Sequence, residues 1–190
     1  LSCALAAPGL ARAEVAQPQI AVTTGLGPMT FVLALGQAPV TAGNFLKYVK
    51  GRRFDGTRFY RAVRTPGAPE TGLVQGGAEN ALKRVLPPIA HESTTQTGLR
   101  HVDGTLSMAR GAPGTATGDF FICVGPAPFL DAGPDSGGDQ LGYAAFGQVT
   151  VGMDLVRAIL AMPTDGYARN PGMKGQILTS PVPILTMRLA

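Results

Sequence analysis

Three stretches of this 190-residue chain hold side chains whose types and spacing could do chemistry. FYRAVR, Phe59 to Arg64, carries Arg61 inside an apolar run. GLVQGG, Gly72 to Gly77, carries Gln75 just ahead of a glycine pair. LSMARGAPGTATGDFFICV, Leu106 to Val124, reads as strand, loop, strand, with turn residues at Gly111, Pro113, Gly114 and Gly118. Strand side chains alternate between faces. Parity puts Phe59, Arg61 and Val63 on one face, and Leu73 together with Gln75. It also sets Asp119, Phe121 and Cys123 opposite Phe120, Ile122 and Val124. Both faces of that last strand are mostly apolar, so one can pack a core while the other lines something. A guanidinium is always charged and offers a rigid fork of donors, where lysine would be a floppier point charge. A glutamine amide can grip a carbonyl or an amide. The plainer alternatives are a solvated arginine, a polar residue flanking a turn, and ordinary core for Phe121 and Leu73.

Other chemistries are poorly served. His91, Glu92, His101 and Asp103 fit no zinc spacing. Asp131, Asp135 and Asp139 lack the calcium-loop pattern and read as a solvated loop. There is no G-x-S-x-G, P-loop or dinucleotide fingerprint, and no evident Ser/His/Asp grouping. Of the two cysteines, Cys3 falls in an apolar leader and Cys123 in an apolar strand, where a small buried residue is the simpler reading than a nucleophile.

The elements that must hold these residues follow from the pattern. Ile20 to Thr24 and Met29 to Leu35 flank Gly25-Leu26-Gly27-Pro28, a hairpin signal. A helix follows, with Pro39 and an N-cap at Thr41 as start signals. It has Phe45, Tyr48 and Val49 on one face and stops at Gly51. Arg58 to Arg64 and Gly72 to Gly76 are strands around a Pro/Gly loop. The stretch from Gly77 to Gly104 is long and irregular. Gly125 to Gly142 is a loop that presents Phe129-Leu130, an apolar pair suited to binding or anchoring. Ala144 to Val149 is a strand, and Thr150 caps a second helix. Residues 162–182 read as loop, and Ile184 to Leu189 is a last strand with Pro183 at its start. Strands dominate, and the pattern alone leaves a β-rich barrel or sandwich open.

Forty-five per cent hydrophobic residues, with 26 Gly and 16 Pro, suit one β-rich domain with many turns. The net charge of +4 is mild, and no Lys/Arg run interleaves with aromatics, so nucleic-acid binding is not indicated. No apolar run is long enough for a membrane span. LSCALAAPGLARA, residues 1–13, resembles the end of a secretory signal with a cut near Glu14. Residues 14–19 then form a linker and 20–190 the domain.

FDGTRFYRAVR, LVQGG, GTLSMAR, GDFFICV and AAFGQVTVGMDLV, in that order, resemble the cyclophilins, a family of peptidyl-prolyl cis-trans isomerases. The resemblance runs from about Ile20 to the C-terminus. It implies a mainly β fold: an eight-stranded antiparallel closed barrel capped by two α-helices. It also implies an enzyme that needs no cofactor or metal and acts on proline-containing polypeptides. A bacterial, exported, periplasmic monomer is the expectation. By the same resemblance Arg61 is the catalytic donor and Gln75 positions the substrate. Phe121, Leu73 and Leu130 hold the proline ring, while Phe129, Tyr143 and Ala109 shape the rim.

The chain departs from the family pattern at several of these places. Tyr60 stands where a histidine is common, Phe129 where a tryptophan is common, and Tyr143 where another histidine is common. Asp119 replaces a glutamine, and an aromatic is missing ahead of Leu73, where Gly72 stands. These departures imply a shallower proline slot, altered peptide preference and weak binding of cyclosporin-like macrocycles. Asp119, on the face of Phe121, is expected to pair with Arg61. The alternative function is a proline-peptide binding module or holdase with little isomerase activity.

Overall fold

The computed structural model describes residues 17–136 and 139–190, so the leader expected at 1–13 lies outside the described residues. Eight antiparallel strands close into a barrel. They are β1 (Gln19–Thr24), β2 (Gly27–Leu33), β3 (Thr57–Thr65), β4 (Ala68–Gly77), β5 (Thr105–Met108), β6 (Asp119–Val124), β7 (Ala144–Val151) and β8 (Ile177–Leu189). Around the barrel the order is β1-β2-β7-β5-β6-β4-β3-β8, and β8 returns to β1. Closure leaves no sheet edge to aggregate. The described helices are α1 (Pro39–Lys50), a four-residue α2 (Thr94–Thr97) and α3 (Met153–Ala161). Of these, α2 falls in the stretch expected to be irregular.

The interior is aromatic. Phe120 meets the rings of Phe31, Phe45, Phe54 and Phe59 edge-on, with centroids 5.2–6.2 Å apart. Edge-to-face contacts of this kind add to the burial term itself. Phe45 comes from α1, so that helix plugs one end of the barrel, as its apolar face suggests.

Helix starts differ from expectation. Thr41 does not cap α1: the N-cap is Ala38, and Pro39 opens the helix. The carboxylate of Glu92, far along the chain, instead accepts the N–H groups of Val40 and Thr41 and the Thr41 hydroxyl, at 2.6–3.1 Å. A negative group at a helix N-terminus answers both the orphan donors and the macrodipole. Likewise Gly152, not Thr150, stands at the start of α3, while Thr150 belongs to β7. β8 begins at Ile177, so Pro183 lies within it rather than at its start, and its carbonyl accepts the Gly25 N–H.

Two further differences shape the site. The expected loop from Thr65 to Thr71 is a hairpin turning on Pro66-Gly67, with Thr65 opposite Ala68 and Gly67 at φ +81°. β3 also carries a bulge. Phe59 opposes Gly76 and Arg61 opposes Gln75, so Tyr60 is the extra residue. The bulge breaks simple parity. Phe59 is fully buried in the barrel, and Arg61 is turned to the outer face.

Candidate active site

One transverse row of residues crosses five strands on the outside of the barrel. Ile177 of β8 opposes Arg61, Arg61 opposes Gln75, Gln75 opposes Phe121, and Phe121 opposes Ser107. Arg61 and Phe121 are thus separated by a single strand, about 10 Å between backbones, and the side chain of Gln75 stands between them.

Arg61 is half-buried and fully braced. Its Nη1 donates to Gln75 Oε1 at 2.7 Å, while Nε and Nη2 donate to Gln176 Oε1 at 2.9 and 2.5 Å. Gln75 in turn donates from Nε2 to the Tyr60 hydroxyl at 2.6 Å. A guanidinium can only donate, so the oxygens of both glutamines must face it. Three of its five N–H groups are used, and two remain for a ligand. Burial pulls the Arg61 pKa down, opposed by Tyr60 and Tyr143, yet guanidinium stays charged at any physiological pH. Burial pushes the Tyr60 phenol well up, so it remains a neutral hydroxyl.

Beside this donor lies a second apolar cluster, separate from the barrel core. Phe121, Cys123, Ala127 and Leu130 are its buried members, with Leu73, Ala109 and Tyr143 packed against them. Phe129 is 54 % exposed at its edge, whereas its neighbour Leu130 is buried, so the expected apolar pair is split between surface and floor. The alternation expected of β6 is observed, because Phe120, Ile122 and Val124 join the barrel core. Cys123 is a buried apolar residue whose thiol is pushed up to about 12 by burial.

Phe121 is held from two sides. The Tyr143 ring meets it edge-on at 5.4 Å, and the His101 ring lies nearly parallel to it at 6.2 Å. His101 sits in a buried polar chain. Its Nδ1 bonds Asp131 Oδ1 at 2.7 Å, and its Nε2 bonds the Ser107 hydroxyl at 2.9 Å. A carboxylate accepts only, so Nδ1 carries the proton and Nε2 accepts from Ser107. The three form a Ser/His/Asp grouping that the sequence does not reveal. The Ser107 side chain is wholly buried, however, so the group braces Phe121 and offers solvent no nucleophile. Burial lowers the His101 pKa and Asp131 partly restores it.

Three other expectations change. Asp119 does not pair with Arg61; its Oδ1 accepts the Glu79 N–H at 2.7 Å, closing the turn after β4. Burial pushes its carboxyl up to about 6. Asp131 and Asp139 are not merely solvated. Asp131 is buried against His101, and Asp139 forms a two-pronged pair with Arg110 at 2.7–2.8 Å. The histidines and acids set aside as metal ligands have other work, since Glu92 caps α1 and Asp103 bonds the Gly125 N–H and Arg157.

Sequence reading missed Gln176, His101, Ser107 and Arg110. Arg110 also bonds the Gly142 carbonyl and lies over the Tyr143 ring at 5.2 Å, tying the loop from Gly125 to Gly142 to the barrel. Gln176 gives no local signal at all, being a lone amide in a stretch read as loop, 115 positions from its partner.

A closed eight-stranded barrel with a braced arginine beside a separate apolar cluster defines a class, and comparison with known proteins names it. The family model for "Cyclophilin type peptidyl-prolyl cis-trans isomerase/CLD" matches residues 19–188. The chain belongs to the cyclophilin-type peptidyl-prolyl cis-trans isomerases. A peptidyl-prolyl cis-trans isomerase of Acinetobacter baylyi is 34% identical over 92% of this chain and 87% of its own length. Peptidyl-prolyl cis-trans isomerase A of Dickeya dadantii is 33% identical over 93% and 87%. A cyclophilin-type isomerase of Cryptosporidium parvum, solved in the presence of the dipeptide Ala-Pro, has the same fold. Its TM-score is 0.70 at 20% identity, covering 90% of this chain and 98% of that one.

Proposed function

We propose the following division of labour for the isomerisation of X–Pro bonds by this enzyme. Rotation about such a bond faces a barrier of about 18–20 kcal/mol because the amide is conjugated. The cis and trans ends differ by only about 0.5–1 kcal/mol. No bond to substrate need form, so the enzyme gains by favouring the twisted amide over both planar forms. Twisting returns a lone pair to the proline nitrogen. The unspent N–H groups of Arg61 donate to that nitrogen, and each 1.36 kcal/mol gained is about tenfold in rate. Gln75 holds Arg61 with its oxygen and offers an amide edge to the substrate backbone. Phe121, Leu73 and Leu130 seat the proline ring, with Ala109, Phe129 and Tyr143 at the rim. Tyr60 and Asp119 act at one remove: Tyr60 orients Gln75, and Asp119 closes the turn beside it.

The observation that carries this reading is the guanidinium fastened by Gln75 and Gln176 one strand away from Phe121. The test is a protease-coupled assay on an Ala-Pro tetrapeptide with wild type beside Arg61→Ala. A fall in kcat/KM of about a hundredfold, with melting temperature held, is expected. Wild-type activity in the variant would overturn the donor role, and peptide binding without turnover in both proteins would favour a binding module.

Export to a bacterial periplasm as a monomer belongs to the same proposal. It is supported by the apolar run and small residues of 1–13. Mass spectrometry of the protein from whole cells should find an N-terminus near Glu14, and sedimentation a single-chain mass.

A further inference from the structure

Against Leu73 and Leu130, two of the residues assigned to the proline ring, lies an apolar cavity of about 200 Å³. It is lined by Val63 of β3, Gly72 and Leu73 of β4, and Ala127, Phe129 and Leu130 from the loop after β6. Neither Phe121, Tyr143 nor Ala109 reaches it, so it is not the slot itself. Two features keep it open. Gly72 sits at φ +147°, and a Cβ there would lie 2.0 Å from the Val63 carbonyl oxygen, so no side chain can fill the space from that position. The Arg64 guanidinium, which borders the cavity, is tied to the Met162 carbonyl, leaving its apolar stem as wall.

We infer that this cavity is a specificity pocket that takes a large aliphatic or aromatic side chain of the substrate, one or two residues from the proline. The inference rests on the isomerase reading of the neighbouring slot. The occupant follows from continuity. Leu73 and Leu130 are walls of both spaces, and an extended chain advances about 3.3 Å per residue with side chains alternating. A peptide with its proline in the slot therefore has a neighbouring side chain over the cavity. The lining offers almost no polar partner, so a charged or small side chain gains nothing there while Leu or Phe buries its surface.

The test uses peptides with a fixed Ala-Pro core and Ala, Leu, Phe or Glu at each of two positions on either side. Turnover is measured by NMR exchange spectroscopy and binding by calorimetry, on wild type and on Val63→Phe, which fills the cavity from β3. At one flanking position Leu and Phe should exceed Ala about tenfold in kcat/KM and in affinity, and Glu should not exceed Ala. In Val63→Phe that ratio should collapse toward one. Wild-type methyl shifts at Val63 and Leu73 should respond to the Leu peptide more than to the Ala peptide, a readout that needs no variant. Equal values for Ala, Leu and Phe at all four positions, or an unchanged ratio in a folded Val63→Phe, would overturn the pocket while leaving the isomerase intact. Failure to turn over any peptide would count against the isomerase reading instead, and the calorimetric ranking would still decide the pocket.

Discussion

In the proposed mechanism Arg61 works because its freedom has been removed. Gln176 accepts from two of its nitrogens and Gln75 from the third, so the fork waits in one orientation instead of paying for order during each turnover. In that mechanism Gln176 is a positioning residue. Gln176→Ala should lower kcat more than it raises KM, with a loss in kcat/KM of about five- to tenfold. Gln176→Asn should restore less than the native residue because its shorter arm falls short of Nε. Steady-state kinetics on one tetrapeptide check both.

Asp119 yields a pH prediction at the same scale. Burial raises its folded pKa from 3.8 to about 6, so the folded state favours the neutral carboxyl. Its contribution is intact below pH 3.8 and is lost as pH rises through 6. Asp119→Asn should therefore stabilise the protein by about 1–3 kcal/mol at pH 7.5, and have little effect at pH 3. Urea unfolding at the two pH values reads the difference. His101 has the opposite sign. Its lowered pKa favours neutral imidazole, so its contribution is intact above pH 6.5 and is lost as pH falls through and below that value.

At the scale of elements, the loop from Gly125 to Gly142 supplies Leu130, Phe129 and, just beyond it, Tyr143. Its anchor is Arg110, bonded to Asp139 and to the Gly142 carbonyl. The Asp139 carboxylate stands toward the surface while the Arg110 side chain is largely covered, and Arg110 has further bonds to the Gly142 and Gly111 carbonyls, so the work of the pair is local. Asp139→Ala should leave the melting temperature within a degree or two while raising KM about threefold, because Tyr143 is no longer pinned against Phe121. The β3 bulge is the other element-level device. Were β3 regular through Tyr60, with no bulge, parity would send Arg61 into the barrel with Phe59.

Across the whole molecule the barrel separates two jobs between neighbours in sequence. Phe120 points inward at the hub of the aromatic core, and Phe121 points outward into the second apolar cluster. Phe120→Ala should cost about 3–5 kcal/mol of stability, measured by chemical denaturation. Phe121→Ala should cost less stability and most of the activity, so the pair separates fold from function in one experiment.

Much of this was legible in the chain. Period-two alternation in β6 assigns Phe120 and Phe121 to opposite faces, because a pleated strand allows no other arrangement. Five blocks in order point to the family and so to the barrel. The partners that brace the site and cap α1 were not legible, since Gln176, Glu92, His101 and Asp131 meet their targets from 30 to 115 positions away. A sequence determines periodicity, turns and local propensity because these are interactions between near neighbours. Which side of β3 Arg61 faces, which carboxylate caps α1, and how wide a pocket Gly72 leaves open depend on register and closure. Those are settled only when distant strands pair, and there the tertiary structure decides.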